Sequence, residues 1–338
     1  LARTLIEDVE VAKAWTLKSR PSGTPTADNF ALIDQPSLPL NDGEIRVRNS
    51  WLSVDPYMRG RMNDVKSYAE PFEIGEPMQG GAVGVVTESR AEKFAVGDKV
   101  LHMLGWRDEA VLPSEGAQKI PDMGVPVQTF LHSLGLTGAT AYFGLLHSAS
   151  AKTGDIVFVS AAAGAVGSSV VQIAKAKGMT VIGSAGGPEK CAWVKELGAD
   201  ACIDYKCGPV LPQLMAAAPE GIDVYFDNVG GEHLDAAYAT ARLHARFAIC
   251  GMIDAYNDGK PMSFKYFMRT ISARIRSTGF LFTDFLPQMG EFMADAGAMV
   301  ATGKLKTRET VFEGLESAPD AFIGLFSGLN TGKMLVKL

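Results

Sequence analysis

The sequence predicts an α/β fold in which a β-rich domain accompanies a doubly wound parallel sheet. Three features predict it. Residues 1–128 carry short apolar runs between turn signals, and residues 129–304 alternate strand-like with helix-like runs. A small-residue stretch joins the first strand of that series to its first helix. The domains expected are 1–128 together with 305–338, and 129–304 between them. A chain of 338 residues, 47% hydrophobic and 21% charged, is long enough for two such domains and ordinary for a soluble protein.

In the first domain the turn signals are Pro36, Pro39, "NDG" at 41–43, "GG" at 80–81 and "VGDK" at 96–99. Between them "EIRVRNSWLSV" (44–54) and "GGAVGVVTES" (80–89) read as strands, which predicts a small barrel or rolled sheet. From about residue 130 the rhythm changes. "DIVFVS" (155–160) is a buried strand, "VGSSVVQIAKAKG" (166–178) a helix stopped by glycine, and "MTVIGSA" (179–185) the next strand. "EKCAWVKELG" (189–198) is a second helix, and "ACIDY" (201–205), "IDVYFDNV" (222–229) and "ARFAICG" (245–251) continue the strands. Such alternation implies parallel strands with right-handed crossovers, a Rossmann arrangement. The last run, "GKMLVKL", is expected to return as a strand to the first domain.

Charge and cysteine usage narrow the function. A net charge of −6 argues against a nucleic-acid groove or an anionic membrane surface as the main partner. No apolar run reaches the roughly 18 residues of a membrane span. The opening "LARTLIEDVEVAKAW" lacks the layout of a signal peptide, and its start at Leu1 rather than methionine is expected to reflect removal of something upstream. Cys191, Cys202, Cys207 and Cys250 form no CxxC pair, so reduced thiols in a cytoplasmic protein are expected.

"SAAAGAVGS" (160–168) sits between strand and helix, the context in which G-x-G-x-x-G binds a dinucleotide. Aligned on Gly164 and Gly167, the first glycine position holds Ala162, which implies a slightly different turn. Gly164 would bring the backbone to the pyrophosphate, and Gly167 would let helix and strand pack closely. The free N–H groups at the helix start would face the phosphates. An NAD site places an acid at the tip of the second strand; here "GSAGGPEK" (183–190) has none there, and Lys190 follows the glycines. That combination suits the 2′-phosphate of NADPH/NADP.

Several further blocks carry a resemblance. "LSVDPYMRGRM" (52–62), "AGGPEKC" (185–191), "FDNVGG" (226–231), "CGMIDAYN" (250–257) and "GLNTGKMLVK" (328–337) resemble the zinc-independent medium-chain dehydrogenase/reductases. Within that superfamily they are similar to the prostaglandin reductase, or leukotriene B4 12-hydroxydehydrogenase, branch, and most to the bacterial curcumin reductases. The resemblance spans nearly the whole chain. It implies a GroES-like first domain, a homodimer, and NADPH-dependent reduction of a C=C bond conjugated to a carbonyl. It carries cofactor contacts onto Gly164, Ala165, Val166 and Gly167, onto Lys190 and Tyr205 at the 2′-phosphate, and onto Asn228. It also carries them onto Cys250, Gly251, Met252, Ile253 and Tyr256 beside the nicotinamide, onto Phe280, Leu281 and Phe282, and onto Asn330. Tyr57 and Tyr256 match its active-site tyrosines. Two blocks depart from the family: Asp254 replaces a small polar residue, and "GLTGATAY" (135–142) replaces its "GMPGLTAY".

The chemistry agrees with a metal-free site. The first 129 residues contain no cysteine and one histidine, His102, so neither a catalytic nor a structural zinc is expected. Without a Lewis acid, ketone–alcohol interconversion loses its polariser. Conjugate reduction needs less: hydride reaches the β-carbon, and the enolate oxygen needs one or two neutral donors, for which the Tyr57 and Tyr256 hydroxyls suit. Tyr68 and Trp106 are weaker candidates for the substrate pocket, as is Phe72. Arg59 and Arg61 are expected to make structural salt bridges rather than bind a substrate acid, and His102 is expected to be structural. The alternatives are an NADPH:quinone oxidoreductase using the same site and a non-catalytic NADPH-binding protein.

Overall fold

The computed structural model describes residues 11–259 and 261–338. The signal-peptide reading and the missing methionine fall largely on residues 1–10, outside the described residues. The chain divides into two compact units: the chain up to Asp122 with Val311–Ile323 and Leu335–Leu338, and Met123–Thr310 with Gly324–Met334.

In the first unit β1 (Ala12–Leu17) and β2 (Phe30–Gln35) form an antiparallel pair. A larger sheet is built on β3 (Glu44–Ser53), β4 (Ala82–Ser89), β5 (Lys99–His102), β6 (Glu109–Pro113) and β7 (Ala117–Lys119). Alternation along β3 puts Ile45 and Val47 inward, against Val86, Val100, Ala110 and Leu112. The rolled β-rich domain expected from the turn spacing is therefore present. Between β3 and β4 the chain makes one short helix, α1 (Met58–Arg61).

The second unit opens with α2 (Leu136–Phe143), then alternates β8 (Ile156–Val159), α3 (Ala165–Ala176), β9 (Thr180–Ala185), α4 (Pro188–Glu196), β10 (Ala201–Asp204), α5 (Val210–Ala217), β11 (Ile222–Asp227), α6 (Gly231–Thr240), β12 (Ala241–Ile249) and β13 (Arg276–Gly279). The six strands lie in the order β10-β9-β8-β11-β12-β13, and their pairings are parallel. The strand direction of build-out reverses between β8 and β11. Central strands are covered on both faces, which is why "IVFV" and "VYF" read as continuous apolar runs: Val157, Phe158, Val224, Tyr225 and Phe226 are all fully buried.

The chain ends with β14 (Glu309–Glu313) and β15 (Lys333–Lys337), which extend the first unit's sheet in the order β14-β15-β3-β4-β5-β7. Leu335 pairs with Ser53. Among the described residues no helix is long and apolar enough to cross a membrane.

Candidate functional site

Each of the six parallel strands ends at a residue group singled out in the sequence. β8 leads into the glycine loop, β9 towards Lys190, and β10 into Tyr205. β11 ends at Asn228, β12 at Cys250–Tyr256, and β13 at Phe280–Phe282. Ligands of doubly wound sheets bind outside these carboxyl ends, at the point where the strand order reverses.

The loop after β8 turns through Ala161, which takes the left-handed conformation at φ 48°, while Ala162 does not. This is how alanine is accommodated where the fingerprint has its first glycine. A Cβ on Gly167 would overlap the Ala161 carbonyl oxygen and stand 2.8 Å from Ala162 Cα, so only glycine lets α3 start this close to β8. Gly164 caps α3, and a Cβ there would meet protein only at 3.2 Å, on the Ala161 oxygen. The chain itself thus presses less on Gly164 than on Gly167. Gly332 donates its N–H to the Ala163 carbonyl at 2.7 Å, and Asn330 Nδ2 donates to the Gly332 carbonyl at 2.8 Å. Asn330 is thereby fixed beside the loop.

At the end of β9, Lys190 Nζ donates to the Gly328 carbonyl at 2.6 Å. The Tyr205 hydroxyl lies over Gly186, 2.5 Å from where a Cβ would stand, and Lys206 Cε lies 3.0 Å from the same point. Burial and the neighbouring Lys206 both push the Lys190 ammonium below its ordinary pKa. Two cations repelling each other across a glycine turn can hold a phosphate on a ribose. The nearby acids are otherwise engaged. Asp204 accepts the Gly187 and Lys206 N–H groups at 2.9 and 3.0 Å, and Glu189 pairs with Arg308 at 3.8 Å. Lys206 was missed in the sequence; its signal was its place directly after Tyr205 in "IDYK".

β8 and β11 are tied at the reversal point. Asn228 donates its N–H to Ser160 Oγ at 2.9 Å and its Nδ2 to the Ser160 carbonyl at 2.8 Å. Asp227 is the hub behind it. Its carbonyl accepts Cys250 and Gly251 N–H, both at 3.0 Å, and its Oδ1 accepts Tyr225 Oη at 2.6 Å and the Val229 and Gly230 N–H groups at 2.9 and 2.8 Å. Burial and Asp227 push the Cys250 thiol up to about 12, so it stays protonated. The Tyr256 hydroxyl folds back over Gly251 and accepts the Met252 N–H at 3.3 Å. Phe280 packs edge-on to Phe226 with ring centroids 6.1 Å apart; Leu281 and Phe282 follow it into a short 3₁₀ turn.

In the first unit, Tyr57 precedes α1 with helical backbone angles. Met58 and Met62, four apart, enter the core; Tyr57 and Arg61, also four apart, share another face. The Tyr57 hydroxyl is buried and has no hydrogen-bond partner among the described residues. Burial, and then Asp55, hold its phenol far above the ordinary range, with Arg61 opposing. It is therefore a donor, and a buried donor without an acceptor is costly unless a ligand supplies one.

The remaining residues fall as follows. Tyr68 is 63% exposed. Trp106 is taken up by the aromatic core, stacked on Phe30 at 5.8 Å and edge-on to Phe322 at 5.9 Å. His102 is structural, bonded to Asn49 Oδ1 at 2.9 Å. Arg59 is buried and donates to the carbonyls of Gly23 and Pro21. Arg61 differs from expectation: among the described residues it has no carboxylate within ion-pair distance, and it bonds the Glu70 carbonyl and Gln79 Oε1 instead. Among the described residues no group of three His, Cys, Asp or Glu side chains could hold a metal ion.

Two family models match the chain. One, described as the N-terminal domain of oxidoreductase, covers residues 13–120; the other, described as zinc-binding dehydrogenase, covers 165–296. The chain is 39% identical to the NADPH-dependent curcumin reductase of Escherichia coli (strain K12), over 96% of each protein. It is 42% identical to the 2-alkenal reductase (NADP(+)-dependent) of Nicotiana tabacum, again over 96% of each. Among solved structures, CurA from Vibrio vulnificus in complex with NADPH superposes with a TM-score of 0.91 at 44% identity, covering 96% of this chain and 98% of that one.

Proposed function

We infer that this chain, which belongs to the medium-chain dehydrogenase/reductase superfamily and to its prostaglandin reductase branch, is an NADPH-dependent reductase of C=C bonds conjugated to a ketone or aldehyde. The observation that carries the reading is the buried Tyr57 hydroxyl without a partner. The names of its relatives, a curcumin reductase and a 2-alkenal reductase, support the substrate class. The NADPH-bound neighbour supports the cofactor.

The residues at the strand ends fit NADPH. The Gly164–Gly167 loop and the start of α3 would take the pyrophosphate, and Lys190, Tyr205 and Lys206 the 2′-phosphate. Asn228, Asn330 and the Cys250–Tyr256 segment would take the nicotinamide ribose side, with Phe280, Leu281 and Phe282 beside it. When bound, the cofactor supplies the hydride that adds to the β-carbon. Tyr57 then donates its O–H to the carbonyl oxygen as negative charge builds there, a bond that strengthens towards the transition state. Tyr256 is the second candidate donor, its oxygen held in place by the Met252 N–H. A proton at the α-carbon completes the saturated carbonyl compound.

A homodimer follows as part of the same proposal. β13 is the edge of the six-stranded sheet, and Met268 and Ile271 just before it are 72% and 73% exposed. The four free thiols support a cytoplasmic location. The test is NADPH consumption over a panel of enones, before and after exhaustive chelation. Consumption that yields saturated ketones and survives chelation is expected. Silence across the panel, or activity lost together with a stoichiometric zinc, would contradict the reading.

A further inference from the structure

Asp227 is a buried anion without a counter-charge. It ends β11, at the reversal point of the sheet, and is 0% exposed. Its Oδ1 takes four donors: the Tyr225 hydroxyl at 2.6 Å, Ser160 Oγ at 3.3 Å, and the Val229 and Gly230 N–H groups at 2.9 and 2.8 Å. So many donors on one oxygen mark an ionised carboxylate, which only accepts. Burial pushes its pKa up, and these same donors pull it back. All of them are neutral, so they solvate the charge without cancelling it. Oδ2 is buried with no hydrogen-bond partner, and among the described residues no lysine or arginine pairs with Asp227. Such a charge is costly unless something of opposite sign comes to it.

Its place indicates what that would be. The Asp227 carbonyl accepts the Cys250 and Gly251 N–H groups, both at 3.0 Å, which ties the residue to the segment assigned to the nicotinamide side of the cofactor. Asn228, the next residue, is assigned to the same side and is held on Ser160. The charge reaches that segment: after burial, Asp227 is what pushes the Cys250 thiol up to about 12. A field that disfavours a thiolate there favours a cation there. The reduced nicotinamide ring is neutral. When the hydride leaves with its electron pair for the β-carbon, the ring is left with a positive charge. The two forms of the cofactor are otherwise alike in adenosine, 2′-phosphate and pyrophosphate.

We propose that the unpaired Asp227 carboxylate, tied to the Cys250–Gly251 segment, favours the positively charged oxidised cofactor over the neutral reduced one and so promotes departure of the hydride. The proposal rests on the enone-reductase reading. It gives Asp227 no contact with the substrate; the residue acts through the charge felt at the ring.

The test titrates NADP+ and NADPH against the unmodified protein and two variants, with no substrate present. The unmodified protein should bind NADP+ at least as tightly as NADPH. Asp227→Asn keeps the shape and one acceptor oxygen but removes the charge. It should weaken NADP+ relative to NADPH by about tenfold, the scale of a unit charge acting over a partly polar path. That change raises the potential of the bound couple by about 30 mV. In turnover, kcat should fall while KM for the enone stays. Tyr225→Phe, which removes a donor and keeps the charge, should leave the affinity ratio unchanged. If Asp227 were only a structural hub, Asp227→Asn would weaken both forms equally and the ratio would hold; that result overturns the proposal. Should Asp227→Asn fail to fold, the unmodified protein decides alone, and tighter binding of NADPH than of NADP+ overturns the proposal. Failure to reduce any enone would instead sink the reaction assignment, and the titrations would still decide the role of Asp227.

Discussion

Lys190 Nζ is bonded to the Gly328 carbonyl at 2.6 Å, so the cation at the end of β9 also anchors the segment that docks on the glycine loop. Removing it therefore has two consequences. Lys190→Ala should weaken NADPH binding by about 2 kcal/mol, the scale of a lost charge-assisted bond, and NADH binding only slightly through the loosened segment. Lys206→Ala, which breaks no such anchor, should weaken NADPH alone. Titrating both cofactors against both variants checks this; equal losses for NADH and NADPH would remove these lysines from the 2′-phosphate.

Gly167→Ala should be the most damaging single methyl in the cofactor loop. Its Cβ would meet the Ala161 carbonyl oxygen and the Ala162 backbone, neither of which can rotate away. A loss of about 1–3 kcal/mol in unfolding free energy is expected, the range for overpacking. Gly164→Ala, with only a 3.2 Å contact, should cost the fold little and show its effect in cofactor affinity. Denaturant unfolding of both variants without cofactor reads the difference; equal stability losses would contradict it.

Two buried histidines set an acid limit. Burial and Arg107 push His102 down to about 4, and burial pushes His233 down to about 4 against the pull of Asp254. Both are harder to protonate folded than unfolded, so the unfolded chain binds more protons between about 6.5 and 4. Their stabilising contribution is complete above about 6.5 and is lost as pH falls towards 4, up to about 3 kcal/mol for each. Unfolding free energies measured from pH 7 to 4 should fall accordingly. His233→Asn should flatten the slope; an unchanged slope would mean that His233 does not titrate on unfolding.

Much of this was legible in the sequence because the second unit is locally coded. β8 is buried along its length, and the helices after β8 and β9 each stop at a glycine, Gly178 and Gly198, so periodicity sufficed to locate the strand–turn–helix units that carry Gly164, Gly167 and Lys190. Lys206 was not legible, because its role depends on β10 lying beside β9, a non-local pairing that brings it over Gly186. The absence of a salt bridge at Arg61 was equally hidden: two neutral acceptors eighteen and nine residues away take the place of a carboxylate. Trp106 shows the reverse. A large aromatic there suggested a pocket wall, but Phe30 of β2 and Phe322 of a helix near the chain's end draw it into the core.

The central claim is that the carbonyl survives the reaction and that Tyr57 holds its oxygen. Tyr57→Phe keeps the ring and removes only the hydroxyl, so NADPH affinity should persist while kcat falls by about 2–3 kcal/mol, the lower end for a lost oxyanion donor. The most direct measurement is the position of the label after reduction of an enone with deuterated NADPH. Deuterium on the β-carbon of a saturated ketone, formed more slowly by Tyr57→Phe, is the predicted result. An allylic alcohol with deuterium on the former carbonyl carbon would contradict the account.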